Sequence, residues 1–234
     1  MRGAADRGWY PGERVERLRA THSYGFVLAL VVGAICFLVA APGDGWAWAV
    51  FVVLQVAILL LAGWTSGLVR ATWHPGLVLA APVVALAVAQ LVWAEQANGV
   101  AGIVNALLAL ATCTVIGVGI WDQGRINAQS VIGVVTVYLL LGLLFAFAFS
   151  AVAAFGDGPF FAQGTDGSMA ERVYFSGITL ATVGYGDLTP ATTTGRMLAV
   201  GEAILGQLYL VTVVALVVGG LRRHRPGESG GPDG

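Results

Sequence analysis

Residues 182–187 read Thr-Val-Gly-Tyr-Gly-Asp, and a run of this kind can bind a bare cation through its backbone. An ion that leaves water needs oxygen atoms in place of its hydration shell, and a ring of backbone carbonyls from four chains can supply them. Successive carbonyls face the ion only if the backbone alternates between left-handed and right-handed dihedrals. Gly184 and Gly186 reach a positive φ at little cost, so their spacing favours this chemistry.

The other residues of the run have complementary roles. Thr182 adds a hydroxyl below the lowest carbonyl ring, whereas Val183 and Tyr185 are predicted to point away and wedge the segment against surrounding helices. The carbonyls of Thr182, Val183, Gly184 and Tyr185 are therefore the predicted ion ligands.

The segments around residues 182–187 must hold an irregular backbone in place. Residues 156–167 form a loop rich in Gly, Asp and Phe, and residues 169–181 are predicted as a helix too short to span a bilayer. Irregular backbone at membrane depth is tolerated only where protein buries it or water lines it. The short helix is therefore expected to be re-entrant, with residues 182–187 as an extended segment behind it.

Composition indicates that lipid surrounds these segments. Of the 234 residues, 57% are apolar and 11% are charged, whereas about 25% charge is usual in soluble domains. A membrane-spanning helix needs about 20 apolar residues. Six stretches meet this requirement: 24–41, 46–68, 76–94, 100–121, 130–155 and 197–221.

The placement of arginine predicts the orientation of these spans. Arginines precede span one and follow span six, while Arg70 and Arg125 lie in the second and fourth links. With six spans, all of these positions fall on one side, which the positive-inside rule identifies as the cytoplasm. We therefore expect a multi-pass protein of the plasma membrane with both termini in the cytoplasm.

Residues 130–221 resemble the potassium-channel pore domain of bacterial two-helix channels. The resemblance lies in the run FSGITLATVGYGDLTP at 175–190, the Gly195-Arg196 pair and the stretch EAILGQLYL at 202–210. It implies a homotetramer that conducts K⁺ passively, with K⁺ as the permeant ligand and no cofactor. It also implies contact with membrane lipids and no binding of nucleic acid.

This chain departs from the family in the pore helix. Two Trp are common there, and this chain has Tyr174 and Phe175 in their places. One of those Trp typically hydrogen-bonds the Asp after the filter, so Tyr174 is expected to reach Asp187 through its hydroxyl. Ile178 replaces a pore-helix Glu that some members carry. Both changes bear on inactivation rather than on selectivity.

Span six contributes further candidate residues. Glu202 is the one acidic residue inside a predicted span, and it is either a protonatable brace of the filter or a packing residue bonded to hydroxyls such as that of Thr179. Gly206 is either a hinge or a small residue that lets helices approach. By resemblance, the positions that line the cavity and gate are Gly206, Gln207, Leu210, Val214 and Val218.

Span four is where a six-span channel would carry a voltage sensor. Residues 100–120 contain no basic residue, so weak or absent voltage sensing is expected. Single polar residues in spans two to four (Gln55, Gln90 and Asn105) are predicted to form hydrogen bonds between helices rather than a transport site.

The predicted fold class is an all-α membrane protein with six transmembrane helices, a re-entrant pore helix and an extended selectivity filter. The predicted divisions are a cytoplasmic amphipathic segment (1–23), a four-helix domain without sensor arginines (24–126), a pore domain (127–225) and a disordered tail (226–234), with no evident cytoplasmic ligand domain.

The sequence shows no set of catalytic residues that would indicate an enzyme. The alternatives are a subunit of a potassium uptake system, a carrier that uses spans one to four, and a non-conducting sensory or scaffold protein.

Overall fold

The computed structural model describes residues 11–40, 45–66, 98–122 and 128–223. Within these ranges the chain is helical and has no β-strand, apart from isolated bridges at Phe161. We number the helices in chain order: α1 (Pro11–Ala40), α2 (Gly45–Thr65), α3 (Asn98–Asp122), α4 (Ala128–Phe155), α5 (Met169–Leu180) and α6 (Thr193–Arg223).

Four helical stretches of the described residues are long and apolar enough to cross a membrane. The predicted third span (76–94, with Gln90), residues 1–10 and the tail at 226–234 lie outside the described residues. The four stretches are Trp46–Thr65, Gly99–Asp122, Ala128–Phe155 and Thr193–Val213.

The first helix differs from its predicted bounds. It begins at Pro11 and continues without a break to Ala40, whereas the sequence predicts a separate segment before a span at residue 24. Proline is well suited to the first position of a helix, because its φ is already helical and its missing N–H is not needed there. The apolar part of α1, Tyr24–Ala40, is shorter than the four spanning stretches.

Helices α1 and α3 pack against α4, and α2 packs against α1 and α3 and reaches α4 through the contact of Phe51 with Phe147. Helices α3 and α4 approach closely at Gly102 of α3, where an added Cβ would lie 2.9 Å from both the Phe147 carbonyl oxygen and the Ala151 amide nitrogen of α4. The backbones of α3 and α4 therefore touch. The side chains of this core are fully or nearly fully buried and include Tyr24, Val27, Val31, Phe51, Ile58, Ile116, Leu140, Leu143 and Phe147.

Helices α5 and α6 pack against each other and against α4, and α5 also contacts α1. A cluster of five phenylalanines joins the C-terminal half of α4 and the middle of α5 to the loop between them: Phe145, Phe149, Phe160, Phe161 and Phe175. Its rings lie 4.8–6.4 Å apart, in tilted or edge-to-face pairs. This cluster positions α5 beside α4.

Candidate functional site

The short helix α5 begins at a complete capping box. The Ser168 hydroxyl accepts a hydrogen bond from the Glu171 amide, and the Glu171 carboxylate accepts one from the Ser168 amide at 2.6 Å. The bond from the Ser168 amide, with the Ser168 hydroxyl adding to it, lowers the pKa of Glu171. With 12 residues, α5 is about 18 Å long, which is well short of the roughly 30 Å apolar core of a bilayer.

The chain leaves α5 through hydrogen bonds that fold residues 182–184 back onto the end of the helix. The Thr182 amide donates to the Thr179 carbonyl at 2.9 Å. The Ile178 carbonyl accepts from the amides of Val183 at 2.8 Å and Gly184 at 3.2 Å. The base of the segment is therefore attached to the C-terminus of α5.

The backbone of this segment alternates in handedness. Thr182, Gly184 and Gly186 have positive φ angles of 57°, 53° and 79°, whereas Val183 and Tyr185 between them do not. The sequence predicts this conformation for the two glycines, and the structure adds Thr182. Such alternation turns successive carbonyl groups toward one side, which is the arrangement that can coordinate a dehydrated cation.

The side chains of this segment are open to solvent in the single chain. Val183 is 51% exposed and Tyr185 is 73% exposed. The described residues of one chain therefore leave at least half of each side chain uncovered. The wedging of both residues against helices therefore stays a prediction.

The predicted hydrogen bond between Tyr174 and Asp187 is present. The Tyr174 hydroxyl donates to Asp187 Oδ2 at 2.7 Å. The bond favours the neutral phenol and raises the pKa of Tyr174 to about 12. The other carboxylate oxygen of Asp187 accepts from the Leu188 amide at 3.0 Å. The outer end of the segment is thereby linked to the middle of α5.

A second set of bonds joins the outer end to the loop before α5. The Gln163 side chain donates to the Asp187 carbonyl at 2.7 Å, and the Ala162 amide donates to the Thr189 carbonyl at 2.8 Å. Phe175, the other residue in a Trp position, is 5% exposed and lies 5.1 Å from Phe149 between ring centroids. Its contacts are with the phenylalanine cluster.

Glu202 is fully buried, and its partner differs from the predicted one. The Ser176 hydroxyl, rather than the Thr179 hydroxyl, is in hydrogen-bond contact with Glu202 Oε1. The same hydroxyl lies 2.7 Å from the Gly142 carbonyl oxygen of α4. Glu202 Oε2 has no hydrogen-bond partner within the described part of the chain. Thr179 is half-buried and has its carbonyl bonded to Thr182.

Gly206 lies where α6 crosses the end of α5. A Cβ built on Gly206 would collide with the Leu180 carbonyl oxygen, which is a backbone atom that cannot rotate away. Of the two interpretations that the sequence leaves open, this contact favours the small residue that lets helices approach. Gln207 and Leu210 are exposed on α6, and the side chains of Val214 and Val218 lie outside the described part.

Several residues around the site were missed by sequence analysis. Arg172 of α5 donates to the Asp166 carbonyl at 2.9 Å and to the Ser150 hydroxyl at 3.3 Å, and burial lowers its pKa. The Tyr138 hydroxyl of α4 donates to the Leu180 carbonyl at 3.3 Å. Ser176 was missed as well, although the sequence held one signal for it. A buried carboxyl group such as that of Glu202 needs a hydrogen-bond partner, and a hydroxyl on the facing helix can be that partner.

Comparison with known proteins places the same residues in an ion-channel domain. The model of the family described as "Ion channel" matches residues 133–222. Protein LctB of Geobacillus stearothermophilus is 32% identical over 123 residues, which cover 50% of this chain and 91% of LctB. No solved structure matches the chain.

Two human relatives match over a shorter region. The potassium voltage-gated channel subfamily A members 6 and 5 are 34% and 36% identical over 83 residues, which cover 33% of this chain. The chain spans only 16% and 14% of their respective lengths. Taken with the short helix and the alternating backbone that follows it, these matches show that the chain belongs to the potassium-channel pore-domain family of ion channels.

Proposed function

We propose that the chain is one of four identical subunits of a potassium-selective channel. The observation that carries this proposal is the alternation of φ along the filter, with positive values at Thr182, Gly184 and Gly186. A dehydrated K⁺ needs several oxygen ligands at once, and one chain supplies one carbonyl at each level. The carbonyls of Thr182, Val183, Gly184 and Tyr185 are the proposed ligands.

The exposure of the filter and of α6 supports assembly with further copies. Only 17% of the apolar spanning stretch of α6 is buried within the chain. Its exposed side chains include Met197, Ile204 and Leu208, at 64%, 55% and 55%. A closed ring with the filter on its axis places such surfaces against neighbouring subunits or the water-filled pore. Four copies match the four-fold carbonyl ring.

The helix α3 supports the proposal that voltage sensing is weak. Its 25 residues, Asn98–Asp122, contain no arginine or lysine. One elementary charge that crosses the membrane field contributes about 2.3 kcal/mol per 100 mV, and steep gating needs several such charges. Without a charged sensor in α3, the channel is proposed to be a passive K⁺ pathway. The apolar spans and the placement of arginine support a location in the plasma membrane with cytoplasmic termini.

Flux from liposomes tests this function directly. The purified chain is reconstituted with internal K⁺ or internal Na⁺, and efflux is followed after dilution into the opposite salt. K⁺ efflux that greatly exceeds Na⁺ efflux, from a particle whose mass corresponds to four chains, is the expected result. Equal fluxes of the two ions would exclude a potassium-selective filter, and no flux of either ion would favour the scaffold alternative.

A further inference from the structure

The Ser176 hydroxyl lies between two acceptors behind the filter. On one side is the Gly142 carbonyl oxygen of α4, at 2.7 Å, and on the other is Glu202 Oε1 of α6. Ser176 and Glu202 are each 0% exposed. One hydroxyl on α5 thus contacts both of the long helices that enclose it.

The two acceptors of Ser176 compete for a single hydroxyl proton. A serine hydroxyl carries one proton and can donate only one hydrogen bond. A backbone carbonyl has no proton, and an ionised carboxylate has none either. If Glu202 were ionised, one of the two short contacts of Ser176 would therefore bring two oxygen lone pairs together. A proton on Glu202 removes this conflict, because Glu202 then donates to Ser176 and Ser176 donates to Gly142.

The second carboxyl oxygen points to the same state. Glu202 Oε2 is buried without a hydrogen-bond partner among the described residues. An unpaired carboxylate oxygen is far more costly to bury than the carbonyl oxygen of a neutral carboxylic acid. Burial of both oxygens of Glu202 therefore costs less when the group is neutral.

No neighbouring charge within the described chain offsets an ionised Glu202. Helices α4 and α5 pack against α6, and Tyr138 is the titratable side chain of α4 that faces Glu202. Its hydroxyl donates to the Leu180 carbonyl. Tyr185 is exposed. The other ionisable groups on α5, on the filter segment and at the start of α6 have partners elsewhere: Glu171 with Ser168, Arg172 with Asp166 and Ser150, Tyr174 with Asp187, and Arg196 with Pro190.

We infer that Glu202 is a protonated positioning residue that ties α6, α5 and α4 together through the chain Glu202–Ser176–Gly142. The inference rests on the proposed function only for its consequence, which is that these hydrogen bonds hold α5, the pore helix, behind the filter. Removal of the proton at alkaline pH breaks this series of hydrogen bonds and leaves a buried charge, so α5 loses its hydrogen bond to α6. K⁺ flux is then expected to fall at alkaline pH.

Infrared spectroscopy of the reconstituted full chain tests the protonation directly. With ¹³C-labelled glutamate carboxyls, the spectrum of Glu202→Gln is subtracted from that of the wild type at pH 7. We expect the difference to show a lost carbonyl stretch of a protonated carboxylic acid. Glu171→Gln is the matched control: Glu171 is exposed and its pKa is lowered, so that variant should lose a carboxylate band instead.

Two further variants separate protonation from packing. Ser176→Ala should keep the band of the protonated Glu202 carboxyl but shift it to higher frequency, because Glu202 then lacks the Ser176 hydroxyl as its hydrogen-bond partner. In flux measurements, Glu202→Gln, which keeps a donor, should match the wild type at pH 7 and lose the alkaline decline, whereas Glu202→Val should lower the flux.

A carboxylate band lost from Glu202→Gln at pH 7 would overturn the inference. If that variant does not assemble, the wild type alone gives the answer, since its protonated band must be present at pH 7 and disappear on alkaline titration. Absence of that band also overturns the inference. Because the band does not depend on conduction, a channel that carries no K⁺ would refute the proposed function and leave the protonation result intact.

Discussion

The helices before the filter and the helix after it differ in how much of their surface one chain buries. The apolar spanning stretches of α2, α3 and α4 are 41%, 39% and 44% buried, whereas that of α6 is 17% buried. All four are apolar and of spanning length. The spanning stretch of α6 is less apolar than the other three, and its position in the fold also leaves more of it uncovered, since α4 has neighbours on two sides and α6 packs mainly on α4 and α5.

The two regions also use polar groups differently. In α3 and α4, the side chains of Asn105, Thr112 and Thr136 bond to carbonyls four residues earlier in their own helices. Around the filter, Tyr138, Tyr174 and Ser176 bond across elements. Among the described residues, positive φ angles occur only between α4 and α6. These three side chains of the first region thus bond within their own helices, so the bond between helices predicted for Asn105 is not seen, and the buried Gln55 side chain of α2 has no hydrogen-bond partner in the described part of the chain. The second region depends on contacts between segments.

Gly184→Ala should have the largest effect. An added methyl group meets no atom within 4 Å in the chain, but Gly184 has a φ of +53°. The left-handed conformation costs a residue other than glycine about 1–2 kcal/mol, and in the proposed tetramer each of the four subunits would carry that cost. We expect loss of K⁺ flux from liposomes while the protein stays assembled.

Gly117→Ala of α3 is the control for this variant, because its methyl group also meets no atom within 4 Å and its φ is ordinary. It should conduct like the wild type. Normal flux through Gly184→Ala would show that the handedness of the filter backbone is not required.

Gly206→Ala should destabilise the channel region by about 1–3 kcal/mol, the usual range for overpacking. The obstacle is the Leu180 carbonyl, which belongs to the backbone beside the filter. Thermal unfolding of the purified protein measures the effect, and Gly201→Ala, which meets no atom within 4 Å, is its control. A hinge role would instead change gating and leave the unfolding temperature unaltered.

Gly102→Ala should destabilise the protein to a similar or smaller degree, also within about 1–3 kcal/mol, but without altering the filter. Its methyl group would press on the backbone of α4 at Phe147 and Ala151. The K⁺/Na⁺ flux ratio of the protein that does assemble should equal that of the wild type. A changed ratio would mean that the packing of α3 on α4 is coupled to the filter.

Tyr174→Phe should have a small effect confined to the outer end of the filter. It removes the 2.7 Å bond to Asp187 and leaves the ring in place. We expect current in planar bilayers to decay faster during sustained activity, with unchanged ion selectivity. The wild-type bond is intact at neutral pH and is lost as pH rises through the raised pKa of about 12. The two proteins should therefore differ at pH 7, and identical decay rates would show that the bond does not support the filter.

Membrane voltage should have the smallest effect. Because α3 carries no arginine or lysine, no positive charge of that helix can move through the field. Open probability in single-channel recordings should therefore change little between about −100 and +100 mV. Activation as steep as several gating charges would show that another segment senses voltage.

Much of the fold follows from the sequence because apolar length determines it. Four predicted spans agree with α2, α3, α4 and α6 to within a few residues at most ends, and residues 169–181 correspond to α5, Met169–Leu180. The start of α1 at Pro11 was not predicted, because residues 11–23 are polar and hydropathy does not report a polar continuation of an apolar helix. The count of six spans stays a prediction.

The sequence by itself determined the positive φ at Gly184 and Gly186, since glycine reaches that conformation at little cost and this preference is local. Only the tertiary structure decided which hydroxyl meets Glu202. Ser176 and Thr179 are three residues apart on one short helix, so either can face α6 after a small rotation of α5. The phenylalanine cluster and the contact between Gly206 and Leu180 set that rotation, and both join residues far apart in the chain. Spacing along a chain fixes local backbone geometry, whereas the rotation of a helix depends on the shapes of all its neighbours at once.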